Sequence, residues 1–378
     1  MLAPQVLGVL VRRGADFAAA EDAVQETLIE ALRVWPDAMP DDPKGWLIRV
    51  AGRKLIDVYR SDTARHRRED RLHREPPPGP IEQADDTLLL LSRCCHPSLT
   101  TASAVALTLR AVGGLTTAQI AQAFMVPETT MAQRISRAKR TVTGAGFDRP
   151  GDIGAVLAVL YLIFNEGFTG QINLAAEAIR LTRQLNESVG DPEVAGLLAL
   201  MLLHHARQTA RWSPTGELIP LDEQDRSLWD TQMITEAVAI LQHALATDRL
   251  GPYQAQAAIA ALHDDAADPH ETDWPQILQW YDELTRLADS PVVRMNRAVA
   301  VGHVDGPRSG LAALADVDAS VPRRDAVAAY LHERAADRVE AARLYTAAAS
   351  KAPTIAERHH LIKQAARLNS HVSGPPDA

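Results

Sequence analysis

The chain has 378 residues, of which 48 are acidic and 39 basic, and 4% are aromatic. This length is enough for two or three domains, and the scarcity of aromatic residues favours helices over strands. The two cysteines are adjacent, which excludes a disulfide framework and predicts a reducing, cytoplasmic setting. The longest apolar run, residues 153–164, is too short for a membrane span, which needs about 20 residues.

Charge is divided unevenly along the chain. Residues 1–149 carry 20 lysines and arginines against 18 acidic residues, whereas residues 150–378 carry 19 against 30. The first part, with its local basic clusters, can meet a polyanion such as DNA, and the acidic remainder is poorly suited to that role. We therefore expect the functions of the chain to divide near residue 150.

The sequence pattern of residues 2–34 predicts two helices. In the second helix, apolar residues at helical spacing define a buried face, formed by Ala20, Val24, Leu28 and Ala31 or Leu32. The same pattern assigns to the exposed side Glu21, Asp22, Gln25, Glu26 and Glu30. Most acidic helix faces are simply solvated, so the pattern alone assigns this one no function.

A longer helix is predicted from Lys44 to about Arg68. Residues 43–70 carry eight basic side chains against four acidic ones, and Trp46 and Tyr59 lie among them. Arginines interleaved with aromatic residues can follow a phosphate strand and stack on exposed bases. A solvated helix face explains the same pattern equally well.

Residues 75–86 contain the run PPPGP and predict an extended linker. The run Cys94-Cys95-His96 beyond it suggests a zinc site. However, no second pair of ligands lies nearby at a suitable spacing, so buried thiols are the favoured interpretation.

The segment 113–142 predicts two short helices joined by a tight turn. Thr116 or Thr117 caps the first helix, and Pro127 ends it, because proline lacks a backbone donor and disfavours α geometry in its predecessor. A basic second helix starts near Glu128. This is the layout of a helix-turn-helix, whose second helix enters the major groove of DNA, although a solvated α-hairpin has the same pattern.

The acidic part of the chain is predicted to be helical nearly throughout, with loops marked by glycine and proline. A faint repeat with the spacing of the second helix of a tetratricopeptide repeat is formed by Ala341, Tyr345, Ala348 and Pro353. Part of this spacing recurs 31 residues earlier, at Gly310, Leu314 and Val317. Repeats of this type stack into a solenoid that binds peptides or protein segments.

Three of these segments resemble, in the same order, the modules of a bacterial sigma factor of the extracytoplasmic-function group of the sigma-70 family. DAVQETLIEALRVWP (22–36) is similar to the part of region 2 that docks on core RNA polymerase. GWLIRVAGRKLIDVYRSDTARHRRED (45–70) is similar to the helix that melts and reads the −10 element. GGLTTAQIAQAFMVPETTMAQRISRAKR (113–140) is similar to the region 4 module that reads the −35 element.

Segments of the second half, among them LIPLDEQDRSLWD (218–230), resemble the subgroup with a long tetratricopeptide-like extension. The resemblance implies an all-α protein with a sigma-2 domain (1–70), a linker (71–86), a sigma-4 helix-turn-helix domain (87–143) and a helical tetratricopeptide-like domain (150–378).

The resemblance also implies roles for particular residues. Core polymerase would be bound by Asp22, Gln25, Glu26 and Ile29. The melted −10 element would be contacted by Arg49, Arg53, Lys54 and Arg60. The −35 element would be contacted by Thr129, Thr130, Gln133, Arg134 and Arg137, with Lys139 and Arg140 near its phosphates.

The implied function is that of a cytoplasmic sigma factor, which directs core RNA polymerase to promoter DNA. Its C-terminal domain would regulate this activity and bind a protein or peptide partner. The sequence shows no phosphate cradle and no HExxH, so we expect no catalytic residue, metal site or cofactor. The alternative is a helix-turn-helix regulator with a solenoid sensor domain that never joins polymerase.

Overall fold

The computed structural model describes residues 2–36, 38–66, 86–124, 126–145, 151–166 and 174–372, with backbone alone at some helix ends. Over these ranges the chain is helical and contains no strand, which confirms the predicted all-α class. The chain divides into two compact units, an N-terminal unit (Met1–Val189) and a C-terminal unit (Gly190–Ala378). The limits of the four segments expected from the sequence (1–70, 71–86, 87–143 and 150–378) remain predictions. None of the helices in these ranges combines the length and hydropathy that a bilayer span requires.

The N-terminal unit contains nine of the described α-helices. They are α1 (Ala3–Arg12), α2 (Phe17–Val34), α3 (Pro43–His66), α4 (Asp86–Cys94), α5 (Thr101–Ala111), α6 (Thr117–Ala123), α7 (Glu128–Ala145), α8 (Ile153–Glu166) and α9 (Leu174–Val189). Helix α1 packs against α2, α3 and α4, and α5 packs against α6, α7 and α8. Most of the predicted linker, residues 71–85, lies outside the described residues.

Local chemistry sets the limits of the helices that matter for function. Asp16 caps α2 by accepting a hydrogen bond of 3.0 Å from the backbone N–H of Ala19. Of the two threonines expected to cap α6, Thr116 is the cap, and it forms a reciprocal capping box with Gln119. Helix α7 begins one residue after Pro127, as predicted.

The adjacent cysteines are part of the core at the end of α4. Cys94 and Cys95 are both free thiols, and they are 0% and 3% exposed. Burial raises the pKa of Cys94 well above its ordinary value, and it raises the pKa of Cys95 to about 12. Both thiols are therefore protonated and buried at neutral pH, in agreement with the structural interpretation of this run.

The C-terminal unit contains the other nine described α-helices. They are α10 (Pro192–Ala206), α11 (Thr231–Leu245), α12 (Pro252–Asp265), α13 (Trp274–Leu287), α14 (Pro291–Val304), α15 (Pro307–Leu314), α16 (Arg324–Arg334), α17 (Arg338–Lys351) and α18 (Ile355–Val372). Each of these helices packs against the next along the chain, so the unit is built around a series of small apolar clusters. Such nearest-neighbour packing is typical of helical repeats.

The repeat spacing found in the sequence coincides with buried positions of this unit. Ala341, Tyr345 and Ala348 are buried in α17. Gly310 lies where α15 crosses α14, and a Cβ atom there would come within 2.8 Å of the carbonyl oxygen of Ala298 and of the Cα of Gly302. The crossing therefore requires a residue without a side chain at Gly310.

Replacing Gly310 with alanine is expected to destabilise the C-terminal unit by about 1–3 kcal/mol, because backbone atoms must move to admit the methyl group. Urea unfolding followed by circular dichroism measures the loss. The matched control is Arg308→Ala, which changes an exposed position of the same helix. Equal stability of the two variants would contradict the close crossing.

A buried polar cluster lies at the end of α10. Arg207 is 4% exposed, and its Nε lies 3.3 Å from Oδ1 of Asp264. Its Nη2 lies 3.1 Å from Nδ1 of His204. Burial raises the pKa of Asp264 to about 7, although the charges of Arg207 and Arg226 act in the opposite direction. Burial lowers the pKa of His263 to about 4.

The shifted pKa of Asp264 predicts a pH-dependent stability. Because the folded pKa lies above the unfolded value of about 3.9, the folded unit keeps a proton that the unfolded chain loses between pH 4 and pH 7. The stability that this proton provides is therefore lost as the pH rises through that window. The asparagine of Asp264→Asn does not ionise, so the variant does not lose this stability. The difference in free energy of unfolding, Asp264→Asn minus parent, should therefore increase by about 2–4 kcal/mol between pH 4 and pH 7.

Urea unfolding of both proteins at pH 4, 5.5 and 7 tests this expectation. His263 titrates in the same range in both proteins, so its contribution cancels in the difference between them. Parallel stability curves would mean that Asp264 ionises normally in the folded unit.

Candidate nucleic-acid interface

Helix α7 separates an apolar face from a polar, basic one. Its buried face is formed by Met131, Ile135, Ala138 and Val142, which are at most 4% exposed. The opposite side carries the exposed residues Thr129, Thr130, Gln133, Arg137 and Arg140, with Arg134 half-buried beside them. Nη2 of Arg137 lies 3.4 Å from Oε1 of Gln133, one turn away. Two side chains able to read purine edges thus stand together on an open helix face.

Helix α3 presents a second basic stripe. Arg49 and Arg53 are exposed and lie one turn apart, whereas Leu47, Ala51 and Leu55 are buried. The four-residue spacing places both guanidinium groups on one side of the helix. The backbone of Arg60 belongs to the same helix, but its side chain lies outside the described part.

Lys54 is turned from this stripe toward α2. Its Nζ lies 3.2 Å from Glu30 and 3.5 Å from Glu26. The hydrogen bond to Glu30 raises the pKa of Lys54 above its ordinary value. Of the residues expected to face the −10 element, Lys54 is therefore engaged with the acidic face of the neighbouring helix.

The outer face of α2 combines acidic and apolar residues. Asp22 and Glu26 are exposed, and burial followed by repulsion from Glu26 raises the pKa of Asp22. Ile29 and Leu32 lie beside them and are 53% and 78% exposed. The sequence left open whether Ala31 or Leu32 completes the buried face, and the structure buries Ala31. Exposed aliphatic residues flanked by charges are typical of a protein-binding surface.

Glu21 is not on that outer face, so its predicted exposure is wrong. It is 3% exposed and contacts α5 and α7, which lie far along the chain. Its carboxylate accepts a hydrogen bond of 2.9 Å from Nε of Arg110, and it also pairs with Lys139 and Gln25. The spacing of apolar residues in α2 identifies the apolar face of that helix, but it carries no information about Arg110 and Lys139, which belong to other helices.

The contacts of Glu21 join α2 to α5 and to the basic helix α7. Lys139 belongs to α7, and its side chain is 18% exposed. Nη1 of Arg110 also donates to the carbonyl oxygen of Leu115, at the start of the helix-turn-helix. Oγ1 of Thr143 lies 3.2 Å from Oδ1 of Asp16, which adds a contact between α7 and the cap of α2. We call the group of Glu21, Arg110 and Lys139 the Glu21 cluster.

Most of the expected site residues therefore fall into two groups, whereas Arg134 is half-buried and the side chain of Arg60 is not described. Exposed side chains that are available to a partner are Asp22, Glu26, Ile29, Arg49, Arg53, Thr129, Thr130, Gln133, Arg137 and Arg140. Those already engaged within the unit are Gln25, Lys54 and Lys139. Arg110 belongs to no motif of the sequence, and an arginine in an otherwise apolar helix was the signal that could have identified it.

Three family models match the chain. Sigma-70 region 2 matches residues 1–65, and Sigma-70, region 4 matches residues 91–142. Residues 152–245 match a family of unknown function, DUF6596. The first two matches contain α1–α3 and α5–α7, which carry the surfaces described above.

Similar proteins agree with these matches. Uncharacterized protein R00370 of Rhizobium meliloti (strain 1021) is 42% identical over 340 residues, which cover 82% of this chain and 79% of the relative. The ECF RNA polymerase sigma factor SigK of Mycolicibacterium vanbaalenii is 31% identical over 143 residues, or 35% of this chain and 70% of the relative. SigK of Mycobacterium sp. (strain KMS) is 28% identical over 141 residues, or 35% and 72%.

No solved structure matches the chain. The matches to both sigma regions and the similarity to the SigK proteins together identify the family of the chain. It belongs to the sigma-70 family of RNA polymerase sigma factors, in the extracytoplasmic-function group, and carries a C-terminal extension.

Proposed function

We propose that three exposed surfaces of the N-terminal unit divide the work of promoter recognition. The outer face of α2, with Asp22, Glu26 and Ile29, binds core RNA polymerase. The stripe of Arg49 and Arg53 on α3 follows the strand that is melted at the −10 element. The basic face of α7 enters the major groove at the −35 element.

The observation that carries this proposal is the exposed face of α7. Arg134 directly follows Gln133, and Arg137 lies one turn beyond Gln133, on a helix whose opposite side is buried. Arginine pairs bidentately with guanine and glutamine with adenine, while the threonines at the start of the helix suit phosphates. The protein thus acts by binding, and the polymerase that it recruits performs the chemistry.

Simultaneous binding at both elements requires the Glu21 cluster to open. The −10 and −35 elements are about 25 base pairs apart, or roughly 85 Å at 3.4 Å per base pair. Helix α2, which packs on α3 and contacts α7, is about 27 Å long. The packed unit is therefore too small to span both elements, and α7 must leave α2 when the promoter is engaged.

The C-terminal unit follows a complete pair of sigma regions, and we assign it a regulatory role. Ending the chain at Val189, the limit of the N-terminal unit, is expected to change the transcript yield from the cognate promoter. An unchanged yield and unchanged polymerase affinity would exclude regulation by this unit.

Run-off transcription tests the function as a whole. Purified core polymerase is incubated with and without this protein on DNA from upstream of its own gene. A transcript of defined start that appears only with the protein supports the proposal. Specific binding of the free protein to this DNA without any polymerase-dependent transcript would instead favour a regulator that never joins the enzyme.

A further inference from the structure

The C-terminal unit contains a cavity that promoter recognition does not use. Its volume is about 630 Å³, within the range of about 300–1,000 Å³ that is typical of small-molecule sites. One wall is formed by residues 218–224, and the remaining walls come mainly from α14, α16, α17 and α18. A space of this size is much larger than the voids that ordinary packing leaves between helices.

The wall of this cavity is mainly apolar. Residues 218–221, Leu-Ile-Pro-Leu, contribute four apolar side chains in succession. Val299, Val327 and Leu361 contribute others from α14, α16 and α18. Residues 218–221 are only half-buried, so they leave apolar surface uncovered. Such surface is unfavourable in water, and an apolar ligand would cover it.

Several polar residues of the wall are engaged inside the protein or carry no charge. Tyr330 and Tyr345 both line the cavity. The hydroxyl of Tyr330 lies 2.8 Å from Nε2 of His303, and that of Tyr345 donates to Glu333 over 3.1 Å. Both tyrosines therefore offer mainly their rings to a ligand. Burial lowers the pKa of His204, another residue of the wall, well below its ordinary value, so its imidazole is uncharged at neutral pH.

The arginines of the wall have partners within the protein. Arg323 donates two hydrogen bonds, of 2.8 and 3.0 Å, to Glu357. Nε of Arg207 lies 3.3 Å from Oδ1 of Asp264, whose pKa of about 7 leaves it ionised in mildly alkaline solution. Arg211 also interacts with other residues of the protein. A charged ligand is therefore not needed to balance the wall.

The apolar residues 218–221 are held in place from both sides. They begin the run LIPLDEQDRSLWD (218–230), which the sigma regions do not explain. Just before them, Oε1 of Glu217 lies 2.7 Å from Nζ of Lys363 on α18. Beyond them, Arg226 donates to the carbonyl oxygen of His263 on α12 over 2.8 Å. The segment is thereby tied to a different helix on each side of its apolar residues.

We propose that this cavity binds an uncharged small molecule with a largely apolar body. Residues 218–221 cover the ligand on one side, and the aliphatic and aromatic residues of the helices cover it on the others. A small molecule is favoured over a protein segment because the wall formed by residues 218–224 is tied to the helices on both sides. The inference depends on the C-terminal unit alone and not on the proposed promoter function.

Calorimetric titration of the full chain at pH 8 and constant ionic strength tests this proposal. The probes share one apolar body and are the uncharged 1-naphthamide, the anion 1-naphthoate and the 1-naphthylmethylammonium cation. The amide is expected to bind about tenfold or more tightly than either ion, because a buried charge without a partner is unfavourable. Titration at two temperatures should give a negative change in heat capacity, which marks the burial of apolar surface.

Leu221→Asp is expected to weaken binding of 1-naphthamide about tenfold or more, because it places a carboxylate in the apolar wall. The matched control is Leu228→Asp, which makes the same change at a position of the same run that is 50% exposed and should leave the affinity unchanged. Circular dichroism shows whether each variant is folded. If Leu221→Asp is not, Val299→Trp replaces it and fills part of the cavity, with Val292→Trp at an exposed position of α14 as its control.

Three results would overturn the proposal. They are no detectable binding of 1-naphthamide, binding of either ion as tight as that of the amide, and an affinity that the folded cavity variant does not change. Tighter binding of 1-naphthoate than of the amide would assign the cavity to an anion instead.

Discussion

Replacing both Arg134 and Arg137 with glutamate is expected to abolish initiation at the cognate promoter. Arg137 is exposed on the basic face of α7, and Arg134 is half-buried at the edge of that face, next to the buried Met131 and Ala138. Loss of one arginine that contacts a base costs about 1–3 kcal/mol, and reversal of charge adds repulsion from the phosphates. The affinity of the polymerase complex for promoter DNA should therefore fall roughly a hundredfold or more.

Fluorescence anisotropy with labelled promoter DNA measures this loss, and run-off transcription measures its consequence. The matched control is the pair Arg286→Glu and Arg338→Glu, which changes the net charge equally at exposed positions of the C-terminal unit. Core polymerase should bind both double variants as it binds the parent, because its proposed surface lies on α2. Unchanged initiation by the Arg134 and Arg137 variant would remove α7 from promoter recognition.

The face of α7 was predictable from the sequence because its determinants are local. Met131, Ile135 and Ala138 follow the helical period and identify the buried side without reference to any other segment. Pro127 fixes the start of the helix, and Thr116 fixes the start of the preceding one. The recognition helix and the residues that it exposes thus follow from a short stretch of the chain.

Glu21 could not be placed in the same way, because its environment is created by distant segments. Arg110 is 89 residues away in the chain and Lys139 is 118 residues away. Glu21 precedes Asp22 and lies one turn before Gln25, so the sequence pattern places it on the exposed side, whatever later packs over it. The same limit applies to the pair of Arg207 and Asp264, since the two residues follow no common period and come together only through the packing of separate segments.

Glu21→Gln is expected to open the packing of α2 against α7. The Glu21 cluster is largely buried, with the side chain of Arg110 17% exposed and that of Lys139 18% exposed. Removing one partner from such a group leaves uncompensated charge, at a cost of about 3–5 kcal/mol when the geometry is held. Opening returns Arg110 and Lys139 to water, so the closed arrangement loses population by roughly a hundredfold relative to the open one.

Single-molecule fluorescence energy transfer measures this change in the full chain. Dyes are attached to cysteines introduced at Arg33 on α2 and Thr141 on α7, both of which are exposed. Cys94 and Cys95 are buried, and burial raises their pKa, so the native thiols should not be labelled. The parent is expected to show a high-transfer state, and Glu21→Gln a low-transfer one.

Glu30→Gln is the matched control, because it removes an acidic residue of the same helix whose partner is Lys54 on α3. That pair lies within region 2, so its loss should leave the distance between α2 and α7 unchanged. Core polymerase should convert the parent to the low-transfer state, and it should bind Glu21→Gln more tightly, because less free energy is then spent on opening. If Glu21→Gln stays closed, or if polymerase leaves the parent closed, the two sigma regions cannot be held together by this cluster, and the promoter must be reached by another rearrangement.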